Sequence, residues 1–278
     1  MKIQYCCTYW GSEKDPPALF LDKVLSAGYD GSEIYLPPDN HSFNQDCRKA
    51  LDQVMDKHPG FLFIAQQLTA PDNEYVDAYI SRMKKSLLEL ASMQPAFINS
   101  HTGKDHYSFD DNCRVIEAAL NISSQKGVRI LHETHRGRFS YHAASLIPYL
   151  IKFPELELVG DFSHFCTVSE SMLQDQEDII RQIIPHVSHI HARVGHEQGP
   201  QVNDPFAPEW QNHLAVFETW WQQILEHKKQ SNHSSFIITP EFGPAPYMPS
   251  MPYTQQPLGN QWNINCNMMH RLKASLKT

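Results

Sequence analysis

The sequence lacks a cysteine-pair motif, a long apolar run and a surplus of positive charge. Its six cysteines are scattered through 278 residues and form no CxxC pair. That pattern predicts free thiols in a reducing compartment, so we expect a cytoplasmic protein. No stretch approaches about 18 consecutive apolar residues, which excludes a transmembrane helix, and Met1–Gly11 lacks the apolar core of a signal peptide.

The charge balance is mildly acidic, with 23 Lys and Arg against 31 Asp and Glu and a formal net charge of −8. A nucleic-acid-binding protein normally has a basic surplus or a basic stripe. The densest basic pairs, Lys84–Lys85 and Lys228–Lys229, each lie inside a helical pattern. We therefore expect neither a nucleic-acid partner nor a membrane partner. The sequence is rich in histidine, with 16 residues, and several of them lie close to carboxylates.

Short apolar runs alternate with amphipathic segments along the whole chain. The segments Asp72–Gln94 and Pro208–Lys229 repeat apolar residues at steps of three and four, which predicts helices. A last helix is predicted from Asn260 to Leu276. The apolar runs are short enough for strands that are buried on both faces. The predicted strands are Lys2–Tyr9, Gly31–Leu36, Phe61–Leu68, Ala96–Ser100, Val128–Glu133, Leu156–Asp161, Val187–Ala192 and Ser235–Pro240.

Eight strand–helix pairs in strict alternation predict an α/β fold, namely a single (β/α)8 TIM barrel that forms one domain over residues 1–278. A doubly wound open sheet is the alternative. We favour it less because no glycine-rich phosphate-binding turn follows the first strand. The stretch Phe242–Gly259 contains five prolines, and it is either a rigid connection to the last helix or a lid over the strand ends.

Polar residues end four strongly apolar runs of the predicted barrel. In a TIM barrel, side chains at the carboxyl ends of the strands face the mouth where active sites lie. Three carboxylates at one point would repel one another without a cation. Carboxylate and imidazole ligands suit Mn²⁺, Mg²⁺, Co²⁺ or Zn²⁺, so we predict one divalent metal ion. The four candidate ligands are Glu133, Asp161, His191 and Glu241.

The sequence also resembles the xylose-isomerase-like superfamily of TIM barrels, which contains sugar isomerases, ketose 3-epimerases and the endonuclease IV enzymes. The resemblance implies that the four candidate ligands hold one metal ion and that Glu133 and Glu241 also act as the acid/base pair. It implies contacts with substrate or metal for His164 and for His101. The motifs that carry the resemblance are Gly28–Glu33, His132–His135, Asp161–His164, His189–His191 and Pro240–Gly243.

The resemblance implies a metal-dependent isomerase or epimerase that acts on a small carbohydrate, which is a sugar, a sugar phosphate or a sugar acid. The enzyme would remove a proton beside a carbonyl and pass through a metal-stabilised enediolate. Family members commonly form homo-oligomers. The alternatives are a zinc-dependent phosphodiesterase of the endonuclease IV type, a metal-dependent dehydratase and a non-catalytic binding protein. The phosphodiesterase is disfavoured because the loop after His191 lacks the Asp-x-His pair of that group.

Three arginines have two open interpretations each. Arg193 either contacts a hydroxyl pair or an anionic group of the substrate, or forms an ion pair at the barrel rim with Glu197 or Asp204. The same choice applies to Arg136 and Arg138.

Aromatic and histidine side chains near the strand ends also allow alternatives. Tyr9, Trp10 and Trp210 are either a wall for sugar rings, with Trp10 as a substrate contact, or ordinary core residues. Alternation places His189 on the same face as His191, and we expect it behind the ligands or in the core. We expect His132 to point outward as a buried histidine with hydrogen-bond partners, whereas His135 could reach the mouth.

Overall fold

The structure, a computed structural model, describes residues 1–68 and 73–276, in which eight parallel strands close into a barrel in sequence order. This confirms the predicted (β/α)8 TIM barrel. Asp72, where one predicted helical segment begins, lies outside the described residues, as do residues 277–278 at the end of the predicted domain. The strands are β1 (Lys2–Thr8), β2 (Gly31–Tyr35), β3 (Leu62–Gln67), β4 (Phe97–Ser100), β5 (Ile130–Glu133), β6 (Leu158–Gly160), β7 (Val187–Ala192) and β8 (Ser235–Pro240).

Helices connect the strands and begin where the sequence supplies start signals. Pro17 is the first residue of α1, and the Ser108 hydroxyl accepts the Asp111 backbone N–H at 3.1 Å to cap α4. Within the described part of the chain, no helix is long and apolar enough to cross a membrane. The helices are α1 (Pro17–Ser26), α2 (His41–Lys57), α3 (Val76–Ala91), α4 (Phe109–Lys126), α5 (Ala143–Lys152), α6 (Ser163–Ser169), α7 (Glu177–Ile183), α8 (Gln211–Gln230) and α9 (Gln261–Ser275).

The strict alternation of one strand and one helix is broken between β6 and β7, where two short helices occur instead of one. Glu170 and Leu173 adopt left-handed backbone angles, with φ of 48° and 58°, and these angles end α6 and turn the chain toward α7. Strand β6 is also shorter than predicted, so Asp161 is the first residue after the strand rather than its last.

The interior of the barrel has an apolar layer beneath the polar strand ends. Five strands each contribute one fully buried side chain to this layer, in which Leu62 and Ile237 also pack. Because this layer closes the barrel from below and side chains alternate along a strand, polar side chains two residues further along face the mouth, such as Asn99 and Glu133. The five residues are Cys6, Ile64, Phe97, Leu131 and Val159.

Candidate metal centre

The four candidate ligands meet at the carboxyl end of the barrel. Glu133 ends β5, Asp161 follows β6, His191 lies in β7 and Glu241 follows β8. One ligand atom from each residue can be chosen so that all four lie within 4.8 Å of one another, and all four side chains are buried. Three carboxylates and one imidazole at this spacing form a donor set for a divalent transition metal or Mg²⁺.

The two ring nitrogens of His191 have different surroundings. Its Nε2 lies 3.0 and 3.1 Å from the two carboxylate oxygens of Glu33. Its Nδ1 lies 2.9 Å from Glu241 Oε2 and 3.7 Å from Glu133 Oε2, yet it has no well-aligned hydrogen-bond partner among residues 1–68 and 73–276. In the neutral ring, a proton on Nε2, donated to Glu33, would direct the Nδ1 lone pair at the carboxylates. The residues therefore fit a metal ion at this point.

Glu33 is a buried carboxylate that the surrounding residues hold in one orientation. Asn99 Nδ2 donates to its Oε1 at 2.9 Å, and the Thr239 hydroxyl donates to its Oε2 at 3.0 Å. Burial would raise the pKa of Glu33, but the adjacent His191 and His189 hold it well below its usual value. Glu33 belongs to a motif that carries the family resemblance, but that resemblance implies no role for it. Glu33 lies in β2, three strands before β5 in sequence, and its signal is a carboxylate inside a mostly buried strand that has no other charged residue.

Arg193 is buried against the candidate ligands. Its Nη2 forms an ion pair with Asp161 Oδ2 and lies 3.0 Å from His164 Nε2, while its Nη1 lies 3.6 Å from Glu241 Oε2. Its Nε donates to the Ser163 hydroxyl at 3.4 Å. With one divalent ion, the three carboxylates and this guanidinium would be formally neutral. Arg193 would therefore balance the one negative charge that remains when a divalent ion binds the three carboxylates.

This placement overturns the predicted rim ion pair of Arg193 with Glu197 or Asp204. Glu197 instead pairs with His213 at 3.2 Å, and Asp204 accepts the Phe206 backbone N–H at 3.0 Å. Arg193 is 2% exposed, because its backbone N–H bonds back to the His191 carbonyl and the chain turns inward directly after β7. All three guanidinium nitrogens face protein atoms, which favours a positioning role over recognition of a substrate anion.

The pKa values of the cluster are set by burial and by the basic side chains around it, which are His101, His191 and Arg193. Burial raises the pKa of Glu241 and of Asp161, and neighbouring cations only partly offset this. Burial acts in the same direction on Glu133, but His101 and His191 hold its pKa well below the usual value. Burial disfavours a charge on His191, yet the surrounding carboxylates raise its pKa well above normal. The cluster thus favours positive charge at its centre.

His101 holds Glu133 from the side of β4. Its Nε2 lies 3.0 Å from Glu133 Oε2, which also accepts a hydrogen bond from Asn99 Nδ2 at 2.7 Å. The Nδ1 of His101 lies 3.3 Å from Arg138 Nη2. Because a guanidinium can only donate, His101 Nδ1 accepts and its Nε2–H donates to Glu133. His101, Glu133 and His135 are close enough to form a second metal site, but this tautomer favours a hydrogen-bond donor over a ligand.

His164 lies behind the cavity rather than in its wall. It is fully buried, its Nε2 is 3.6 Å from Asp161 Oδ2, and its ring lies 3.9 Å from that of His135. Burial lowers the pKa of both histidines well below the usual value, so both are neutral. His164 is not among the residues that line the cavity, and its contact with substrate or metal stays a prediction, whereas His135 lines the cavity.

A cavity of about 350 Å³ leads from the surface to Glu133 and Glu241. Trp10 lines it as expected, and so does Tyr9. Trp210 does not: its ring packs against His196 and its Nε1 donates to Asn203 Oδ1 at 2.7 Å, so the interpretation of Trp210 as part of a sugar-binding wall is wrong. The volume is in the range of about 300–1,000 Å³ that is usual for small-molecule sites.

Tyr247 covers this cavity from the proline-rich stretch between β8 and α9. Its ring lies edge-on to Trp10 at 4.9 Å, and the Arg193 guanidinium carbon lies 4.9 Å from the ring centre. Arg136 lies on the same ring at 5.0 Å. The stretch therefore connects β8 to α9 and also covers the cavity. Tyr247 could not be singled out from the sequence, because the prolines are the only feature that distinguishes this segment.

The remaining histidines stand beside the centre. His189 Nδ1 lies 2.9 Å from the Ile237 carbonyl and its Nε2 lies 3.0 Å from the Thr239 hydroxyl. His132 Nδ1 lies 2.7 Å from the Thr102 hydroxyl, but its Nε2 has no partner among the described residues. His132 is therefore only half satisfied, in contrast to the prediction.

Comparison with known sequences identifies a family. The sequence model of a family described as xylose isomerase-like TIM barrel matches residues 21–227. No curated protein matches the chain in sequence.

Solved structures resemble the protein over nearly its whole length. The probable 3-DHS dehydratase AsbF of Bacillus anthracis, involved in petrobactin synthesis, is 17% identical, with a TM-score of 0.59 over 98% of this chain and 99% of its own. A D-psicose 3-epimerase solved in the presence of D-fructose is 14% identical, with a TM-score of 0.60 over 99% of both chains. An IOLI protein with a bound zinc atom is 13% identical, with a TM-score of 0.64 over 99% of both chains. At these identities the likeness shows the fold alone.

Proposed function

This chain belongs to the xylose isomerase-like TIM barrel family, and we propose that it is a metal-dependent isomerase or epimerase of a small sugar or sugar-like hydroxy ketone. The observation that carries the proposal is the meeting of four ligand atoms within 4.8 Å at the inner end of a cavity. His191 Nδ1 supports it, because this atom lies 2.9 Å from Glu241 Oε2 without a well-aligned hydrogen bond, and so does the epimerase among the similar structures.

We propose that Glu133, Asp161, His191 and Glu241 hold the ion. A divalent ion bound there would supply Lewis-acid chemistry, which makes a carbon acid beside a carbonyl easier to deprotonate. Ser163 holds Asp161, because its backbone N–H and its hydroxyl donate to Oδ1 at 3.1 and 2.5 Å. Such contacts fix ligand orientation before an ion arrives.

Glu133 and Glu241 are the two candidate ligands that line the cavity, so they are the carboxylates that can meet substrate. One of them would take the proton from the carbon beside the carbonyl, and a proton would return either to the neighbouring carbon or to the opposite face. The first outcome is isomerisation and the second is epimerisation. Asn99 and His101 hold Glu133 in place, while Arg193 lies against Glu241.

The cavity supports a carbohydrate enzyme over a phosphodiesterase. Three carboxylates line it, from Glu13, Glu133 and Glu241, and the single lining arginine, Arg193, is directed at protein groups within the described residues. A phosphodiester would meet mostly negative charge there. A dehydratase would use the same groups on a substrate with a leaving hydroxyl, so product analysis separates the two reactions.

The proposal is tested by proton exchange. The protein, loaded with Mn²⁺, is incubated with D-fructose and other ketoses in deuterated water, and deuterium beside the carbonyl is followed by NMR. We expect exchange in the wild type and a loss of about 10²–10⁴-fold in Glu241→Gln and in Glu133→Gln. Glu13→Gln is the matched control, because it changes a lining carboxylate that is not a candidate ligand. Near-normal exchange in both ligand variants would refute the proposed acid/base pair.

A further inference from the structure

The cavity has two chemically different halves. Strands β4 to β8 and the residues that follow them contribute most of the ionisable groups, including Glu133, Glu241 and His101, whereas Glu13 is the lining carboxylate of the other half. The other half comes from β1 to β3 and the residues that follow them, and it is mainly apolar. We call this half the aromatic wall, and its members are Tyr9, Trp10, Tyr35, Pro37, Phe43 and Leu68.

The wall is held in place by packing inside the protein. Tyr9 lies edge-on to Phe20 at 4.8 Å and contacts Phe43 at 5.4 Å. Trp10 lies against Gly243 so closely that a Cβ there would come within 2.1 Å of the indole ring. These rings are a preformed surface rather than loose side chains, and a preformed apolar surface binds flat apolar groups at low entropic cost.

Polar groups beside the wall are partly used by the protein itself. The Tyr9 hydroxyl donates to the Asp15 carbonyl at 2.7 Å. Asn40 Oδ1 accepts the Phe43 backbone N–H at 3.2 Å, and Glu13 Oε1 accepts the Gly11 backbone N–H at 2.9 Å. Gln66 also lines this half, so a polyhydroxylated chain placed here would exchange its many water contacts for a small number of hydrogen bonds, which costs affinity.

We infer that the substrate carries a flat apolar group, such as an aromatic ring, joined to the hydroxy-ketone end that reacts. The reactive end lies at Glu133 and Glu241, and the apolar group lies on the aromatic wall. The identity of the reactive end rests on the proposed function, whereas the apolar group rests on the wall alone. A simple polyhydroxylated ketose has no apolar group that could pack against the aromatic wall.

Two probes with the same reactive end test this inference. 1-Hydroxy-4-phenylbutan-2-one and hydroxyacetone both contain the CO–CH2OH unit, and they differ in a remote phenyl group that leaves the acidity of that unit nearly unchanged. We expect the phenyl compound to exceed both hydroxyacetone and D-fructose in kcat/KM for deuterium exchange by at least about tenfold, because the ring would bury apolar surface. Binding of each probe to the Mn²⁺-loaded protein is also measured by ligand-observed NMR, which needs no turnover.

Variants locate the bound ring. Phe43→Ala should reduce the preference for the phenyl compound about tenfold in binding, and Tyr35→Ala should act likewise if Phe43→Ala does not fold. Phe109→Ala is the matched control, because Phe109 also lies in the first turn of a helix and is partly exposed but does not line the cavity. The control should keep the full preference.

The outcomes separate the two proposals. Exchange and binding that favour the phenyl compound support both. Exchange with equal use of the two short ketones, or with D-fructose preferred, overturns the apolar substrate group and leaves the isomerase or epimerase in place. Tight binding of the phenyl compound that depends on Phe43, without exchange of any probe, supports the wall and overturns the reaction. Weak binding of the phenyl compound, unaffected by Phe43→Ala, overturns the inference.

Discussion

His191 has two ring nitrogens, and the residue on the far side of the ring determines which one can bind metal. Glu33 lies at Nε2, and it is itself fixed by Asn99 and Thr239. A carboxylate in that position stabilises the tautomer with its proton on Nε2 and makes Nδ1 a better ligand. Glu33 would thus orient the candidate ligand His191 without itself contacting an ion.

Glu33→Gln should weaken metal binding while leaving the fold intact. The amide has about the same size as the carboxylate but lacks its charge, so the imidazole becomes a poorer ligand, and affinity should fall about 10–100-fold. Competition with a fluorescent chelator measures the dissociation constant of Mn²⁺ or Zn²⁺. Glu13→Gln is the matched control. An unchanged affinity in Glu33→Gln would show that Glu33 has no part in orienting His191.

His189 and His191 should differ when each is replaced by alanine. His191→Ala removes a ligand, so metal affinity should fall by more than about 100-fold. His189→Ala leaves the Ile237 carbonyl and the Thr239 hydroxyl without this partner, which should cost about 1–3 kcal/mol of the free energy of unfolding. Chelator competition and urea denaturation separate the two effects. If His189→Ala loses metal and His191→Ala keeps it, the assignment of the ligand within β7 is wrong.

The residues that sequence analysis located best are those whose direction the barrel itself dictates. Glu133 ends a buried strand, so alternation and strand direction place it at the mouth, and the same reasoning brought the other three candidate ligands together. Arg193 directly follows β7, as Asp161 and Glu241 follow their strands, whereas His164 and Trp210 lie further along. The partners of Arg193, His164 and Trp210 depend on local turns and therefore could not be derived from spacing.

At the scale of elements, all eight strands lie where short apolar runs predict them, because parallel strands buried on both faces have a strong apolar signal. The missed feature is the pair of short helices α6 and α7. Left-handed angles at Glu170 and Leu173 separate them, and the sequence has no glycine at either position to indicate such a turn.

Strands β2 and β3 approach each other closely at Gly31, and this contact can be tested by mutation. A Cβ at Gly31 would lie 2.3 Å from the Leu62 carbonyl oxygen of β3, so Gly31→Ala must push two paired strands apart. We expect a loss of about 1–3 kcal/mol or more in the free energy of unfolding, measured by urea denaturation. Gly60→Ala is the control, since a Cβ there meets nothing within 4 Å. Equal stability of the two variants would contradict the described approach of β2 and β3.

For the whole molecule, the barrel brings together carboxylates that destabilise one another until a cation joins them. The ligands come from four consecutive strands, β5 to β8, so a bound ion would tie half of the barrel together. Ligand binding stabilises only the folded state, because the unfolded chain does not keep four ligands at one point.

Metal should therefore raise the stability of the whole protein. At a free Mn²⁺ concentration about 100 times the dissociation constant, the free energy of unfolding should increase by about 2.7 kcal/mol, and Tm should rise accordingly. Excess EDTA should reverse the change in differential scanning calorimetry. His191→Ala should show almost no response to Mn²⁺. An equal rise in Tm in this variant would place the stabilising ion elsewhere.

The most direct test of the metal centre is the number of ions per chain in untagged protein after incubation with Mn²⁺ and removal of free ion, measured by elemental analysis. Among residues 1–68 and 73–276, three groups of side chains are close enough for an ion, but the hydrogen bonds of His101 and Glu33 assign two of them supporting roles. We therefore predict about one ion per chain in the wild type and almost none in His191→Ala. Two or three ions per chain, or none in the wild type, would contradict a single centre formed by Glu133, Asp161, His191 and Glu241.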